Sequence, residues 1–313
     1  MDHRQHWFAY FLAVVNATII GLSFMATKVA VSKAPVFDTL AIRFVIGLTA
    51  FLVYAKLIRL PLIIRGGSWW KLAPIVLFYP IGFFTFQAFG LQRIPSSEAG
   101  IVSASAPVIT AILAAIFIRE QTNLRQFGCI LFSITGVVFI TWMQGQGSES
   151  GHLPQNIHLA GIGLIVLSCV SSAGYTICNR VLIRSFTAGE ITFALMFIGT
   201  IFFCGLAIGG HAWSGNIASI LEPLRDPVFV ATIFYLGIFA SLITTILASL
   251  ILKRINSSQL VVFFNLATVV SILAGYFFMN EPIHGYHLFG TAMIIAGVVG
   301  TNFFKSKEDT KPV

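Results

Sequence analysis

Ten long apolar segments constrain this chain more than any other feature of its sequence. They cover approximately residues 8–30, 36–56, 70–92, 95–118, 124–143, 157–179, 191–211, 228–252, 257–280 and 286–304. A helix that crosses a bilayer needs about 20 mostly apolar residues. The segments are too long and too continuously apolar for the alternating strands of a membrane barrel. The sequence therefore predicts an all-α polytopic membrane protein with ten transmembrane helices.

The composition agrees with a bilayer as the surrounding solvent. Hydrophobic residues make up 57% of the 313 residues and charged residues only 10%, whereas a soluble domain carries about 25% charged residues. No soluble domain fits between the segments, and the longest polar gap is the Gly/Ser/Pro-rich linker 144–156. We expect the lipid bilayer itself to be a partner of this chain.

The basic residues are distributed unequally between the two sides of the predicted membrane. With a cytoplasmic N-terminus, 14 of the 19 Lys and Arg residues fall on the cytoplasmic side. This asymmetry follows the positive-inside rule and predicts that both termini are cytoplasmic, with 144–156 outside and 305–313 a cytoplasmic tail. Because the net charge of +8 is spread over loops rather than gathered on one soluble face, we expect no nucleic-acid partner.

The sequence also contains an internal repeat with an offset of 161 residues. The offset aligns Arg93-Ile94 with Arg254-Ile255, Ser96-Ser97 with Ser257-Ser258, and Glu120 with Glu281. It predicts two five-helix units, 8–143 and 157–304. Because five is odd, the second unit must enter the membrane from the opposite side. Inverted repeats are typical of secondary transporters that work by alternating access, although duplication also builds proteins that merely fold symmetrically.

The stretch 91-LQRIPSSEAGIVSASAPVITAILAAIFIRE-120 resembles the fourth helix of an EamA-type repeat of the drug/metabolite transporter superfamily. The matching features are the two serines at its start, Pro107 within it and Glu120 at its end, followed by Gly128 in the next helix. The second half resembles the same unit, with Thr268 at the position of the proline. The resemblance implies a multi-pass carrier in the inner (plasma) membrane of a bacterium, usually an exporter of small metabolites. It also implies a central cavity lined by helices 1, 3, 4, 6, 8 and 9.

Polar side chains inside apolar segments are the candidates for function, because a charge at the centre of a bilayer costs about 2.5–3.5 kcal/mol. Those predicted to bind solute or line the cavity are Lys28, Gln87, Ser103, Tyr175, Asn179, Arg180, Tyr235 and Asn265. Each has a structural alternative. Lysine and arginine at helix ends can anchor the chain at the interface, and amides or small hydroxyl residues can join neighbouring helices.

Four further charged residues have separate predicted roles. Glu98, near the start of the fourth helix, is either favoured by the helix dipole or a proton-coupling carboxylate. For Arg43 we predict a structural partner other than Asp38, since a contact at i, i+5 is poor on a helix. Glu120 and Glu281 resemble the structural glutamates of the family. We expect Ser96 and Ser97 to cap their helix by accepting hydrogen bonds from its first N–H groups.

These features predict a secondary transporter, with an exporter as the expected direction, for small metabolites or amphipathic compounds such as amino acids. The alternative is a membrane-embedded enzyme acting on a lipid or small molecule. We expect no enzyme, cofactor or metal, because the segments contain no HExxH, GxSxG or Walker pattern. The GxxxG pair Gly205 and Gly209, and the small residues Ala292, Ala296 and Gly300, favour close helix packing. A homodimer is a further arrangement that they would allow.

Overall fold

The computed structural model describes residues 3–59, 72–117, 124–146, 155–182, 186–215, 217–252 and 257–304, and all regular structure in these ranges is helical. The α-helices are α1 His3–Lys33, α2 Val36–Leu57, α3 Ala73–Val76, α4 Phe83–Leu91, α5 Ser96–Ser103, α6 Ala106–Phe117, α7 Leu124–Gln146, α8 Gln155–Leu182, α9 Ala188–Ser214, α10 Pro227–Phe234, α11 Thr244–Leu252, α12 Ser257–Met279 and α13 Gly285–Phe303. A π-helical stretch, Leu77–Gly82, joins α3 to α4, and a second, Tyr235–Ile243, joins α10 to α11. A 3-10 helix, Ile217–Arg225, precedes α10.

Seven helical stretches in the described residues are long and apolar enough to cross a bilayer. They are Tyr10–Lys33, Val36–Leu57, Ala73–Leu91, Ser96–Phe117, Asn156–Asn179, Gly189–Trp213 and Pro227–Leu247. Three shorter apolar helices are Leu124–Ile140, Leu266–Met279 and Gly285–Gly300. These stretches confirm an all-helical protein built from membrane-crossing helices. The count of ten spans and the cytoplasmic position of both termini stay predictions.

Helices of the first half pack against helices of the second half. Each such contact between non-equivalent helices is made a second time by the two equivalent helices of the opposite halves. Helix α1 packs on α12, and the equivalent helix of the second half, α8, packs on α5 and α6. Likewise α4 packs on α8, while α10 and α11 pack on α1. The remaining close pairs, α2 with α9 and α7 with α13, join equivalent helices directly. This pattern fits a duplicated unit; the boundaries 8–143 and 157–304 stay predictions.

Glycine permits the close approach of α7 and α13. A Cβ atom at Gly136 would lie 2.9 Å from the carbonyl oxygen of Gly290, and one at Gly297 would lie 2.7 Å from the carbonyl oxygen of Cys129. Since real side chains do not tolerate such contacts with backbone, the two helices pack as closely as they do because these positions lack a side chain. The interface includes the buried Ile140 and Ile294.

The small residues singled out from the sequence do not all pack as expected. A Cβ atom at Gly205 or Gly209 would meet nothing within 4 Å in the described structure, and Ala292 and Ala296 are exposed. The described structure therefore shows no close helix contact at Gly205 or Gly209, and the packing role of these four residues stays a prediction. Gly300 does lie against Cys129 of α7, because the face of α13 that carries the glycines is the one turned towards α7.

An ion pair joins the end of α1 to the start of α10. Lys33 Nζ donates to Asp226 Oδ2, and the other oxygen of Asp226 accepts hydrogen bonds from the backbone N–H groups of Val228, at 2.8 Å, and Phe229, at 3.4 Å. The Lys33 hydrogen bond, aided by these N–H groups, holds the pKa of Asp226 below its usual value. Asp226 is thus both the N-cap of α10 and the link between α10 and α1.

Replacing Gly297 with alanine tests the α7–α13 contact. We expect Gly297→Ala to lower the free energy of unfolding by about 1–3 kcal/mol, because the new methyl group overpacks the interface. Heat unfolding in detergent, followed by tryptophan fluorescence, measures the change. Gly205→Ala is the matched control and should cause no loss, since its Cβ meets no neighbouring atom. Equal loss of stability in both variants would contradict this packing.

Candidate functional site

Two helices are interrupted by π-helical stretches, which lie at equivalent positions in the two halves of the chain. The repeat offset places the π-helical stretch 77–82 on residues 238–243, inside the second π-helical stretch. Within the first, Tyr79 has extended backbone angles, φ −146° and ψ 118°. Interruptions of this kind are frequent at functional sites, and in transporters they occur where substrate binds. The side chains beside them are therefore the first candidates for a site.

Aromatic rings gather around Tyr79. The centroid of its ring lies 4.8 Å from that of Tyr175 on α8, 5.0 Å from that of Phe84 and 5.2 Å from that of Phe83. Tyr79 and Tyr175 are partly buried. Because Tyr175 belongs to the second half of the chain and Tyr79 to the first, this group of rings bridges the halves.

Arg43 of α2 lies against the same rings. It is 3% exposed, and its guanidinium carbon lies 4.3 Å from the centroid of the Phe84 ring. Its Nε and Nη2 atoms each donate to Ser241 Oγ at 3.4 Å. Asp38 is not its partner, because Asp38 Oδ2 bonds to His211 Nε2 at 2.8 Å.

Tyr235 and Ser241 complete this region from the second π-helical stretch. The Tyr235 hydroxyl donates to the carbonyl oxygen of Ile19 at 2.8 Å, which ties the stretch to α1. Ser241 Oγ donates to the carbonyl oxygen of Leu236 at 2.8 Å, so its lone pairs face Arg43. We call the whole set the arginine–tyrosine cluster; it consists of Arg43, Tyr79, Phe84, Tyr175, Tyr235 and Ser241.

A second polar group surrounds the first turn of α5. Glu281, which follows α12, accepts hydrogen bonds from the backbone N–H groups of Ser96, at 2.7 Å, and Ser97, at 2.9 Å. Both serine hydroxyls also donate to its carboxylate, at 3.0 Å for Ser96 and 2.7 Å for Ser97. The expectation that these serines cap the helix as acceptors is wrong. Pro95 is the N-cap residue, and an acid from the other half supplies the acceptors that the helix end requires.

Glu98 lies in the same turn and has a different partner. Its side chain is 2% exposed, and its Oε2 atom bonds to His158 Nε2 of α8 at 2.9 Å. Its Oε1 atom has no hydrogen-bond partner among the described residues. Lys28 of α1 donates to the carbonyl oxygen of Ile94 and interacts electrostatically with Glu281 and Glu98. We call this set the carboxylate group; it consists of Lys28, Ser96, Ser97, Glu98, His158 and Glu281.

The other predicted site residues are distributed around these two groups. Gln87 is buried in α4, and Ser103 is partly buried at the end of α5. Asn179, one turn beyond Tyr175 on α8, is partly buried, and its buried Oδ1 atom has no hydrogen-bond partner in the described part of the chain. The side chains of Arg180 and Asn265, and the whole of Glu120, lie outside the described residues. The functional roles of all these residues stay predictions.

Two polar residues of interest were missed in the sequence. Asn16 of α1 is 2% exposed, and its Oδ1 atom is unpartnered within the ranges that the structure describes. It could have been found by the criterion that selected Gln87, an amide inside an apolar segment. His158 gave a weaker signal, because it stands at the edge of a segment where histidine is ordinary. Only its contact with Glu98 marks it out.

Comparison with known proteins gives a consistent result. The model of the EamA-like transporter family matches residues 7–142 and 159–303. The uncharacterized transporter YcxC of Bacillus subtilis is 37% identical over 100% of this chain and 98% of its own. An S-adenosylmethionine/S-adenosylhomocysteine transporter of Chlamydia trachomatis is 28% identical over 92% of this chain and 87% of its own. One solved crystal structure covers 97% of this chain and 98% of its own with a TM-score of 0.61 and 17% identity, a likeness of fold alone.

Removing the Glu281 carboxylate tests its role at the start of α5. We expect Glu281→Ala to lower the free energy of unfolding by about 1–3 kcal/mol, because two backbone N–H groups lose their acceptor away from water. Glu281→Gln keeps one acceptor oxygen and should lose less. The exposed Glu222 provides a control, as Glu222→Ala should change stability by no more than about 0.5 kcal/mol. An unchanged melting temperature for Glu281→Ala would refute the capping role.

Proposed function

Because this chain belongs to the EamA-like transporter family, we propose that it is a secondary transporter that exports small metabolites across the plasma membrane. The observation that carries the proposal is the pair of interrupted helices at equivalent positions in the two halves, with the arginine–tyrosine cluster between them. Interrupted helices around a shared site are how inverted-repeat transporters hold a solute inside the membrane.

The proposed mechanism is alternating access by the two halves. Ten spans arranged as two inverted five-helix units, with both termini in the cytoplasm, would let one half rock against the other around the site. The helix contacts between the halves support this mechanism. The contact of α1 with α12 is repeated by the equivalent helices α8 and α6. Equivalent contacts of this kind allow two conformations of similar energy, as alternating access requires.

We propose a small amphipathic solute, with amino acids and related compounds as the first group to test. The rings of Tyr79 and Tyr175 would contact its flat or apolar part. The similarity to a transporter of S-adenosylmethionine and S-adenosylhomocysteine supports the same class, because both compounds join an amino-acid group to an aromatic base.

For energy coupling we propose Glu98, paired with His158, as the proton-binding group. A buried carboxylate with one oxygen unpartnered in the described structure can accept a proton there without breaking its bond to the histidine. Its position between α5 and α8 would let protonation change a contact between the two halves. A helix-dipole role for Glu98 alone is the alternative, since it also lies in the first turn of α5.

The transport proposal is tested with purified protein in liposomes. A panel of labelled amino acids and S-adenosylmethionine is loaded, and movement is followed with and without a pH gradient. We expect at least one solute to move faster than in protein-free liposomes, and to move against its gradient when a pH gradient is imposed. Failure of every solute in the panel, by protein whose folding is confirmed by its cooperative melting, would count against this function.

The coupling proposal is tested with Glu98→Gln in the same liposomes. We expect exchange of labelled for unlabelled solute to continue, while accumulation driven by the pH gradient is lost, because the amide cannot take up a proton. Glu222→Gln removes an exposed carboxylate and should leave both activities at the wild-type level. If Glu98→Gln retains full accumulation, Glu98 is not the coupling residue.

A further inference from the structure

The Arg43 guanidinium is a buried charge with little compensation from the described residues. It has five N–H donors, but its only hydrogen bonds within the described ranges are the two to Ser241 Oγ, both at 3.4 Å, beyond the usual range for this type of bond. No acidic side chain in the described ranges pairs with it, and the acid closest in sequence, Asp38, is held by His211. A buried charge without a counter-ion is costly. An anion bound beside Arg43 would offset this cost.

An anion can bind to the edge of the guanidinium group. The guanidinium carbon lies 4.3 Å from the centroid of the Phe84 ring. The five N–H groups lie in the guanidinium plane and point outward from its edge. A carboxylate can accept two parallel hydrogen bonds from such an edge, which is the preferred geometry of arginine–carboxylate pairs.

Two tyrosines of the cluster have hydroxyl groups that the described structure leaves without a hydrogen bond. Neither the Tyr79 nor the Tyr175 hydroxyl makes a hydrogen bond to any described residue, although the two rings lie only 4.8 Å apart. Tyr235 differs, because its hydroxyl is already bonded to Ile19. The ring surfaces of these partly buried phenols can contact an apolar or aromatic body.

We propose that Arg43 binds the carboxylate of the transported solute, and that Tyr79 and Tyr175 contact its flat or apolar part. This inference rests on the proposed transport function and specifies its solute class, compounds that carry a single carboxylate. One buried cation neutralises one negative charge, so a dianion such as a phosphate monoester would leave excess charge in the cluster. Arg43 and Tyr79 come from the first half and Tyr175 from the second, so a bound carboxylate would contact both moving units.

The test is a comparison of matched acids and amides on the purified full-length protein in detergent. The probes are 3-phenylpropionate against 3-phenylpropionamide, phenylalanine against phenylalaninamide, and phenyl phosphate as a dianion. Binding is measured from the ligand-dependent rise in melting temperature and by titration calorimetry. We expect the acid of at least one pair to bind about tenfold or more tightly than its amide, and phenyl phosphate to bind more weakly than that acid. No preference for the acid in either pair overturns the proposal without any mutation.

Variants at Arg43 and Tyr175 assign the preference to this cluster. Arg43→Gln should bring the affinities of acid and amide to within about twofold of each other, whereas Arg43→Lys, which keeps the charge, should retain part of the preference. Tyr175→Leu should weaken acid and amide to the same extent, because it removes ring contact rather than charge. An acid preference that survives in Arg43→Gln overturns the proposal.

Liposome transport separates this inference from the function on which it rests. Solute movement by the wild-type chain that is equally fast for acid and amide would leave the transporter in place and refute the role of Arg43. Tight, Arg43-dependent binding of an acid that is never moved across the bilayer would refute transport and leave the binding site. Arg43→Gln protein that fails to fold affects neither conclusion, because the acid–amide comparison on the wild-type chain still decides it.

Discussion

The Glu281 carboxylate bonds to the first turn of α5 and so fixes one half of the chain to the other where lipid offers no hydrogen bonds. Glu281 belongs to the second half, and four donor groups of Ser96 and Ser97 in the first half bond to its carboxylate. Gly275 leaves the space for it, since a Cβ there would collide with Glu281 Oε2. An unpaired helix end in hydrocarbon is expensive, so the position of α5, and of Glu98 within it, depends on this contact.

The two halves differ at the helix that the contact holds. Helix α5 ends at Ser103 and α6 begins at Ala106, next to Pro107, which has no N–H to continue the helical bonding. The equivalent helix α12 runs unbroken from Ser257 to Met279 because Thr268 stands at the position of that proline. Thr268 donates instead to the carbonyl oxygen of Gly100 at 3.3 Å. The difference between Pro107 and Thr268 thus accompanies a helix that is interrupted between α5 and α6 in the first half and continuous as α12 in the second. Helix α12 packs against α5.

The sequence was sufficient to predict local structure and family, and insufficient to predict contacts between distant residues. Apolar length placed the helices, since α2 covers Val36–Leu57 against a predicted 36–56. It could not show that the acid at the start of α5 comes from 185 positions away, because nothing local distinguishes Glu281 from an interfacial glutamate. The pairing of Glu98 with His158 was missed for the same reason. Helix interruption at Pro80 was equally invisible, since proline inside a membrane helix often causes only a bend.

The separation of charge between the two polar groups bears on how a carrier avoids wasted cycles. In the described structure, the arginine–tyrosine cluster contains a cation with no acid bonded to it, whereas the carboxylate group contains two acids, Glu98 bonded to His158 and Glu281 bonded to Ser96 and Ser97. An unpaired Arg43 carries a net positive charge, and Arg43 paired with the single carboxylate of a solute carries none. Moving an uncompensated charge through a low-dielectric interior is the more costly process. The loaded transporter would thus change conformation more readily than the empty one, so the buried cation that selects the solute would also favour coupling of each movement to a bound molecule.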